Sequence, residues 1–351
     1  MSNNLHDDLQ VNEISTEQKK SMKSRVITAL IMALIGLPCL FFGGWAFFLL
    51  AFILLILATS EAVTALNKKI PMVVVIFMYI ITLYFSYWIF VKNLTSEFIA
   101  TPDKQDFYAK VFNTPLFEGL FYVGFNDIYV SSTGIITILV ILFISSFASE
   151  RFTVLDVGYY FMMAVLIGLG FQAIQYLRYY PANAFAKTGM NVGTPFFRFG
   201  QSAFLIVYVI LGTIFNDIGA YFIGVLFGKH KVNPRISPKK TWEGLIGGVI
   251  ISVIVSMAFA IIVSLTGHPI LPFLTHETWY WLLLISAVIA FLAIIGDFTF
   301  SAIKRHTGIK DYSKIFKEHG GVLDRIDSLI FTSIGATVLV VLISQGWQIF
   351  S

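Results

Sequence analysis

Gly296 to Ser328 reads GDFTFSAIKRHTGIKDYSKIFKEHGGVLDRIDS. A strongly apolar run, Trp279 to Ile295, leads into it, and a second begins at Leu329. Between them stand Lys304, Arg305, Lys310, Asp311, Lys314, Lys317, His319, Asp324, Arg325 and Asp327. Charge beside hydrocarbon is costly, so it is found where it lines a working, water-filled cavity. The stretch therefore predicts two membrane helices with a functional site between them.

The whole chain agrees with that environment. Of its 351 residues 57% are hydrophobic and 13% charged, with a mean hydropathy of +0.80. Soluble domains carry about 25% charged residues. The expected fold is an all-α polytopic integral membrane protein with a cytoplasm-facing polar cavity. Runs long enough to cross about 30 Å of hydrocarbon fall at 26–43, 45–66, 71–91, 132–149, 153–175, 201–227, 244–265, 279–301 and 328–348, about nine in all. Only Gly43-Gly44 parts the first two, and a tight helical hairpin is expected there. No small-x-small cleavage site ends the first run, so it is expected to be retained. The one cysteine, Cys39, lies in an apolar run and excludes an intramolecular disulfide.

Basic residues orient these spans. With the N-terminus in the cytoplasm, 18 of the 24 Lys and Arg residues fall inside and 6 (Lys92, Lys104, Lys110, Arg178, Lys187, Arg198) outside, as the positive-inside rule requires. Three regions result: a polar cytoplasmic head at 1–24, N-terminal membrane helices at 25–200 with an outside loop at 92–131, and a C-terminal catalytic part at 201–351 with cytoplasmic loops at 228–243 and 302–327. The aromatic residues of 92–131 and of 176–200 read as interfacial anchors. No internal repeat of the kind found in many transporters is visible.

Four acids lie in or beside the expected spans. Asp156, near Arg151, reads as an interfacial charge, and Glu61 as a snorkelling or paired acid close to Lys68 and Lys69. Asp217 and Asp297 lie deeper, and a basic loop follows each. After Asp217 the chain turns through Asn233-Pro234 and Ser237-Pro238 and reaches Lys239, Lys240 and Thr241 at the start of the next helix. Free N–H groups at a helix start, with two lysines, form an anion site; lipid head groups are an alternative ligand. Gly219 and Gly224 leave room for close helix approach. On a helix Asp297, Ser301 and Lys304 share one face, as do Asp324 and Asp327. Carboxylates converging from two helices suit Mg²⁺, which takes one or two of them and fills its other positions with water and substrate phosphates.

At these residues the sequence resembles the phosphatidate cytidylyltransferases. The resemblance rests on Ser301, Lys304-Arg305, Lys310-Asp311, His319-Gly320-Gly321, Asp324-Arg325 and Asp327. Asp217-Gly219-Ala220-Tyr221 and Ser237-Pro238-Lys240-Thr241-Glu243-Gly244 are similar to a second block of that family, and Arg25-Val26-Ile27-Thr28 resembles its start more weakly. Two positions depart from the pattern. Lys317 and Glu318 precede His319 where proline is common, and Phe300 stands where many bacterial members have an acid. The resemblance implies transfer of the cytidylyl group of CTP to phosphatidic acid, with pyrophosphate leaving. It implies Mg²⁺ on Asp297 and Asp324, as one of two divalent or mixed cation sites. Asp217, Lys304, Arg305, Lys310, His319 and Asp327 are the expected catalytic residues, and Ser237, Lys240, Thr241, Ser301 and Arg325 the expected substrate-binding ones. The expected partners are CTP, phosphatidic acid and the lipid bilayer of the cell membrane, with no nucleic acid; a homodimer is left open. A CTP-dependent polyprenol kinase and a cation-coupled transporter are the competing readings.

Overall fold

The computed structural model describes residues 30–98, 127–190, 194–316 and 320–345, of which 87–98, 127–132, 198 and 199 are described by their backbone alone. The polar head at 1–24, most of the 92–131 loop and His319 lie outside the described residues. The chain forms α1 (Leu30–Phe42), α2 (Gly44–Thr64), α3 (Met72–Phe98), α4 (Asp127–Ala148), α5 (Val154–Ala186) and a short α6 (Pro195–Phe199). After a single 3-10 turn come α7 (Phe204–Phe227), strands β1 (Lys231–Asn233) and β2 (Ser237–Thr241), α8 (Trp242–Leu265), α9 (Trp279–His306) and α10 (Leu323–Ser344). Among the described residues six helical segments are long and apolar enough to cross a membrane: α2, α5, Pro195–Phe227, α8, α9 and α10. Shorter apolar helices at Leu30–Phe42, Met72–Ser86 and Thr133–Ala148 stand where the other three spans were expected.

The first expected boundary is real. Gly43 and Gly44 both have positive φ, 63° and 47°, which breaks the helix between α1 and α2. A side chain at Gly43 would also run into the guanidinium of Arg178. Arg178 is fully buried, and it donates from Nε to the Leu40 carbonyl at 2.7 Å, from Nη2 to the Phe41 carbonyl at 3.3 Å and from Nη1 to the Ser202 hydroxyl at 3.1 Å. A cation thus satisfies orphan carbonyls at the end of α1. Gly43→Ala is expected to destabilise the protein by more than about 1 kcal/mol, because alanine resists positive φ, and to lower the detergent-solubilised melting temperature.

Arg178 is one of several places where the sequence expectation is corrected. Its place in the sequence falls in an expected outside loop, but α5 continues past Pro181 to Ala186 and buries it. Neighbouring helices make such a proline tolerable in a membrane bundle. Tyr179, expected in an aromatic belt, is also buried and donates its hydroxyl to the Gly44 carbonyl at 2.8 Å. Lys68 pairs with Asp156 at 2.8 Å, and Asp156 closes a capping box with Thr153 at the start of α5. Arg151 is therefore not the residue that fixes Asp156, and Glu61 is not held by Lys68. Glu61 is buried and turns inward to α10. One local departure from an all-helical chain is the antiparallel hairpin β1–β2 inside the expected 228–243 loop.

Two apolar clusters form the core. One joins α2, α3 and α5 to Phe300, Ile303, Tyr312, Val322 and Leu323, the residues beneath the charged segment. The other lies among α2, α5, α7, α8, α9 and α10. Helices α7 and α8 pack closely because Gly219 faces Gly248 and Ile251, while Gly224 faces Thr241 and Gly244. That contact sets the hairpin and the start of α8 against Asp217.

Candidate active site

The hairpin forms because Asn233 starts a tight turn. Its side-chain oxygen accepts from the amides of Arg235 at 3.1 Å and Ile236 at 3.3 Å, and the next strand returns with Ser237 opposite Asn233 and Thr241 opposite Lys231. Local side-chain acceptors of this kind are the usual chemistry of asparagine in turns. Thr241 then caps α8, accepting from the Gly244 amide at 3.2 Å. Glu243 holds the start of β1 by accepting from the amides of Lys229 at 3.1 Å and His230 at 3.2 Å, and it pairs with the His230 ring at 2.6 Å.

Between the hairpin, α7, α8 and α9 lies a cavity of about 420 Å³, whose polar lining includes Asp217, Lys231, Lys239, Lys240, Thr241 and Asp297. Tyr221, Val225 and Leu245 line its apolar side, and Tyr221 and Val225 continue onto the exposed surface of the bundle. The structure thus brings Asp217 and Asp297 together with Lys240 and Thr241 from the other side of the hairpin. Lys240 forms an ion pair with Asp297 and lies 4.3 Å from the centre of the Phe298 ring.

Along α9 the expected face is present. Ser301 donates to Asp297 Oδ1 at 3.3 Å, and one turn further Lys304 crosses to Asp324 on α10 at 2.7 Å. Asp324 Oδ2 also accepts from the amides of Tyr312 at 2.9 Å and Gly321 at 2.8 Å. The two glycines of the His-Gly-Gly run now have separate reasons. Gly320 has φ 78° and no room for a side chain against Asp324, and a Cβ on Gly321 would strike the carboxylate of Glu61. Asp217 and Asp297 line the same cavity, and Gly296, beside Asp297, packs against the backbone of Asp327 and Ser328. The acids of α7, α9 and α10 therefore share one electrostatic neighbourhood.

Other expected residues stand apart. Arg305 and Lys310 are exposed at the end of α9 and in the following turn, and among the described residues neither forms an ion pair. Ser237 occupies its register position on β2 and does not line the cavity. Phe300, where the family pattern often has an acid, is fully buried and packs edge-on against Tyr312 and Phe331. Three residues were missed. Lys231 lines the cavity because the hairpin sets it opposite Thr241, a placement that follows once Asn233-Pro234 is read as a turn. Tyr312 is buried under Lys304, 5.7 Å from its ammonium, and burial pushes its phenol well above the usual range. Glu61 reaches the start of α10 from 261 residues away, and no local pattern signals that contact.

Among the described residues no three His, Cys, Asp or Glu side chains converge as a ready-made metal cage. Mg²⁺ does not need one, because it takes one or two protein carboxylates and completes its shell with water and phosphate. Asp297 and Asp217 present hard oxygen donors to the cavity, and the donor set fits that ion. Asp324 has three of its roughly four acceptor positions engaged by Lys304 and two amides.

Residues 23–343 match the model of the cytidylyltransferase family. A phosphatidate cytidylyltransferase of Staphylococcus epidermidis is 31% identical over 310 residues, which cover 88% of this chain and 95% of that protein. Proteins of the same name from Staphylococcus haemolyticus and Staphylococcus aureus are each 28% identical, with the same coverage. A match over nearly the full length of both partners includes the cavity, the hairpin and the α9–α10 segment, and on that ground this chain belongs to the cytidylyltransferase family.

Proposed function

We propose that this chain is a phosphatidate cytidylyltransferase, making CDP-diacylglycerol and pyrophosphate from CTP and phosphatidic acid for phospholipid synthesis. The observation that carries the site reading is the cavity in which Asp217 and Asp297 face Lys231, Lys239 and Lys240 at the start of α8. A site for two polyanionic substrates needs that mixture of cations and hard oxygen donors. Its apolar margin at Tyr221 and Val225 supports a lipid substrate whose acyl chains stay in the bilayer.

In the reaction a phosphate oxygen of phosphatidic acid bonds to the α-phosphorus of CTP as the bond to the β-phosphate oxygen breaks, and pyrophosphate leaves. The nucleophile is already anionic, so positioning and charge neutralisation dominate. Lys231, Lys239 and Lys240 neutralise phosphate charge from the hairpin side, and Lys304 and Arg325 do so from the α9–α10 side. Asp217 and Asp327 support the site with their negative charge, and Thr241, Ser301 and His319 orient donors and acceptors. Asp297 and Asp217, the carboxylates that line the cavity, would hold Mg²⁺, which would add neutralisation of the phosphate oxygens; Asp324, expected beside Asp297, is instead taken up by Lys304 and two amides. The chain crosses the cell membrane nine times, with the N-terminus and both basic loops in the cytoplasm, where CTP is found.

The test is product analysis with α-labelled CTP, phosphatidic acid and Mg²⁺ in detergent micelles. Labelled CDP-lipid together with pyrophosphate supports the proposal; labelled CDP with a phosphorylated alcohol acceptor would replace it with the kinase reading. In the same assay Lys231→Ala or Lys239→Ala is expected to raise KM for an anionic substrate about tenfold, the equivalent of one modest charged contact, while melting stays at the wild-type value.

A further inference from the structure

Helix α10 begins without a cap of its own. Val322, at its N-cap, makes no side-chain capping bond, although the first N–H groups of a helix need acceptors. The acceptors come from α2. Glu61 Oε1 accepts from the Val322 amide at 2.8 Å and Oε2 from the Leu323 amide at 2.8 Å. Oε1 also accepts from the Ser313 hydroxyl at 2.6 Å. Glu61 is 2% exposed, and among the described residues no Lys or Arg pairs with it. A buried carboxylate without a cation needs such hydrogen bonds to be tolerated, and a helix N-terminus favours its charge.

The neighbouring bonds form a second clasp. Asp324 ties the Tyr312 amide to the Gly321 amide, just as Glu61 ties Ser313 to Val322. The Phe316 amide closes the loop onto the Gly320 carbonyl at 3.0 Å. Two carboxylates, one from each half of the chain, thus hold the two ends of the same loop side by side. Asp324 in turn holds Lys304.

We infer that Glu61 is a positioning residue for the reaction: it fixes the start of α10 and the loop before it, and with them the places of Asp324, Asp327 and Lys304. This rests on the reading of those three residues as part of the active site. Glu61 itself touches no reacting group. Replacing it leaves substrates able to bind but shifts the groups that neutralise the transferring phosphate, and misplacement by about 1 Å costs about 10²-fold in rate.

The experiment uses the purified full chain in micelles with CTP, phosphatidic acid and Mg²⁺. Glu61→Gln is expected to lower kcat about 10²-fold, with KM for both substrates within about threefold and faster amide exchange across 320–326. Glu61→Asp keeps the buried charge but retracts it by one methylene; it is expected to fold and to show a smaller loss of the same kind, so it carries the test if the glutamine variant does not fold. Thr59→Ala, which removes a buried hydroxyl bonded to Thr82 on α3, away from the start of α10, serves as the packing control. It is expected to lower the melting temperature without changing kcat. Wild-type kcat in the Glu61 variants overturns the inference, as does an equal loss of kcat in Thr59→Ala. Inactive Asp324→Asn and Asp327→Asn beside a fully active Glu61→Gln would remove the inference alone. If Asp324→Asn and Asp327→Asn ran at the wild-type rate, the site reading would fail and the inference with it.

Discussion

Asp297→Asn is expected to lose about 10³-fold in CDP-lipid formation, the upper end of what removing one preorganised electrostatic group costs. Fold stability is expected to hold. Asparagine keeps an oxygen for the Ser301 hydroxyl, and one negative charge fewer stands beside Asp217 in the cavity. What disappears is the anion that pairs with Lys240 at the cavity wall. Lys240 is then free to swing toward its ring neighbour Phe298 or into solvent, and the donor facing the phosphates is lost along with the hard oxygen. Rates with labelled CTP, measured beside thermal melting in the same micelles, check both halves. Activity within tenfold of wild type would take Asp297 out of the chemistry and leave it as an anchor for Lys240.

The second large effect falls on stability and rate together. Lys304 and Asp324 have side chains only 12% and 5% exposed. Breaking a buried pair from one side leaves an uncompensated charge and costs about 3–5 kcal/mol. Lys304→Met is therefore expected to lower the melting temperature clearly and to reduce the rate at least 10²-fold, as loss of a charge-neutralising cation does. The double variant Lys304→Met with Asp324→Asn separates the two losses. Asparagine retains an acceptor for the amides of Tyr312 and Gly321, and the orphan charge is gone, so much of the stability returns while activity does not. A double variant no more stable than Lys304→Met would mean that the pair contributes through packing of the lysine stem over Tyr312 rather than through charge.

The features that could be read from the sequence share one property: they depend on neighbours along the chain. Most apolar runs became helices close to their expected bounds, with α3 and α5 running on past theirs, Thr241 became the cap of α8, and Asp297, Ser301 and Lys304 share a helical face. Each follows from spacing or from the capping preference of threonine. The features that could not be read join distant segments. Asp156 finds Lys68 across 88 residues and Glu61 finds Val322 across 261. Which buried acid meets which donor is decided by helix packing, and residue spacing carries no record of it. The hairpin was an intermediate case. Asn233-Pro234 marks its turn, but the pairing of Lys231 with Thr241 also needs a strand period that the charged run around Lys239-Lys240 hides.

Arg178 gives the bundle an order of assembly. Its guanidinium completes the hydrogen bonding of the Leu40 and Phe41 carbonyls, yet it is made 138 residues after Leu40. At ribosomal speeds of about 5–20 residues per second, the first helix waits roughly 7 to 28 s for that partner. Until then its last carbonyls need water or the translocation machinery, because hydrocarbon offers them no donor. A chain that stops short of residue 178 therefore lacks the donor that the Leu40 and Phe41 carbonyls have in the finished bundle.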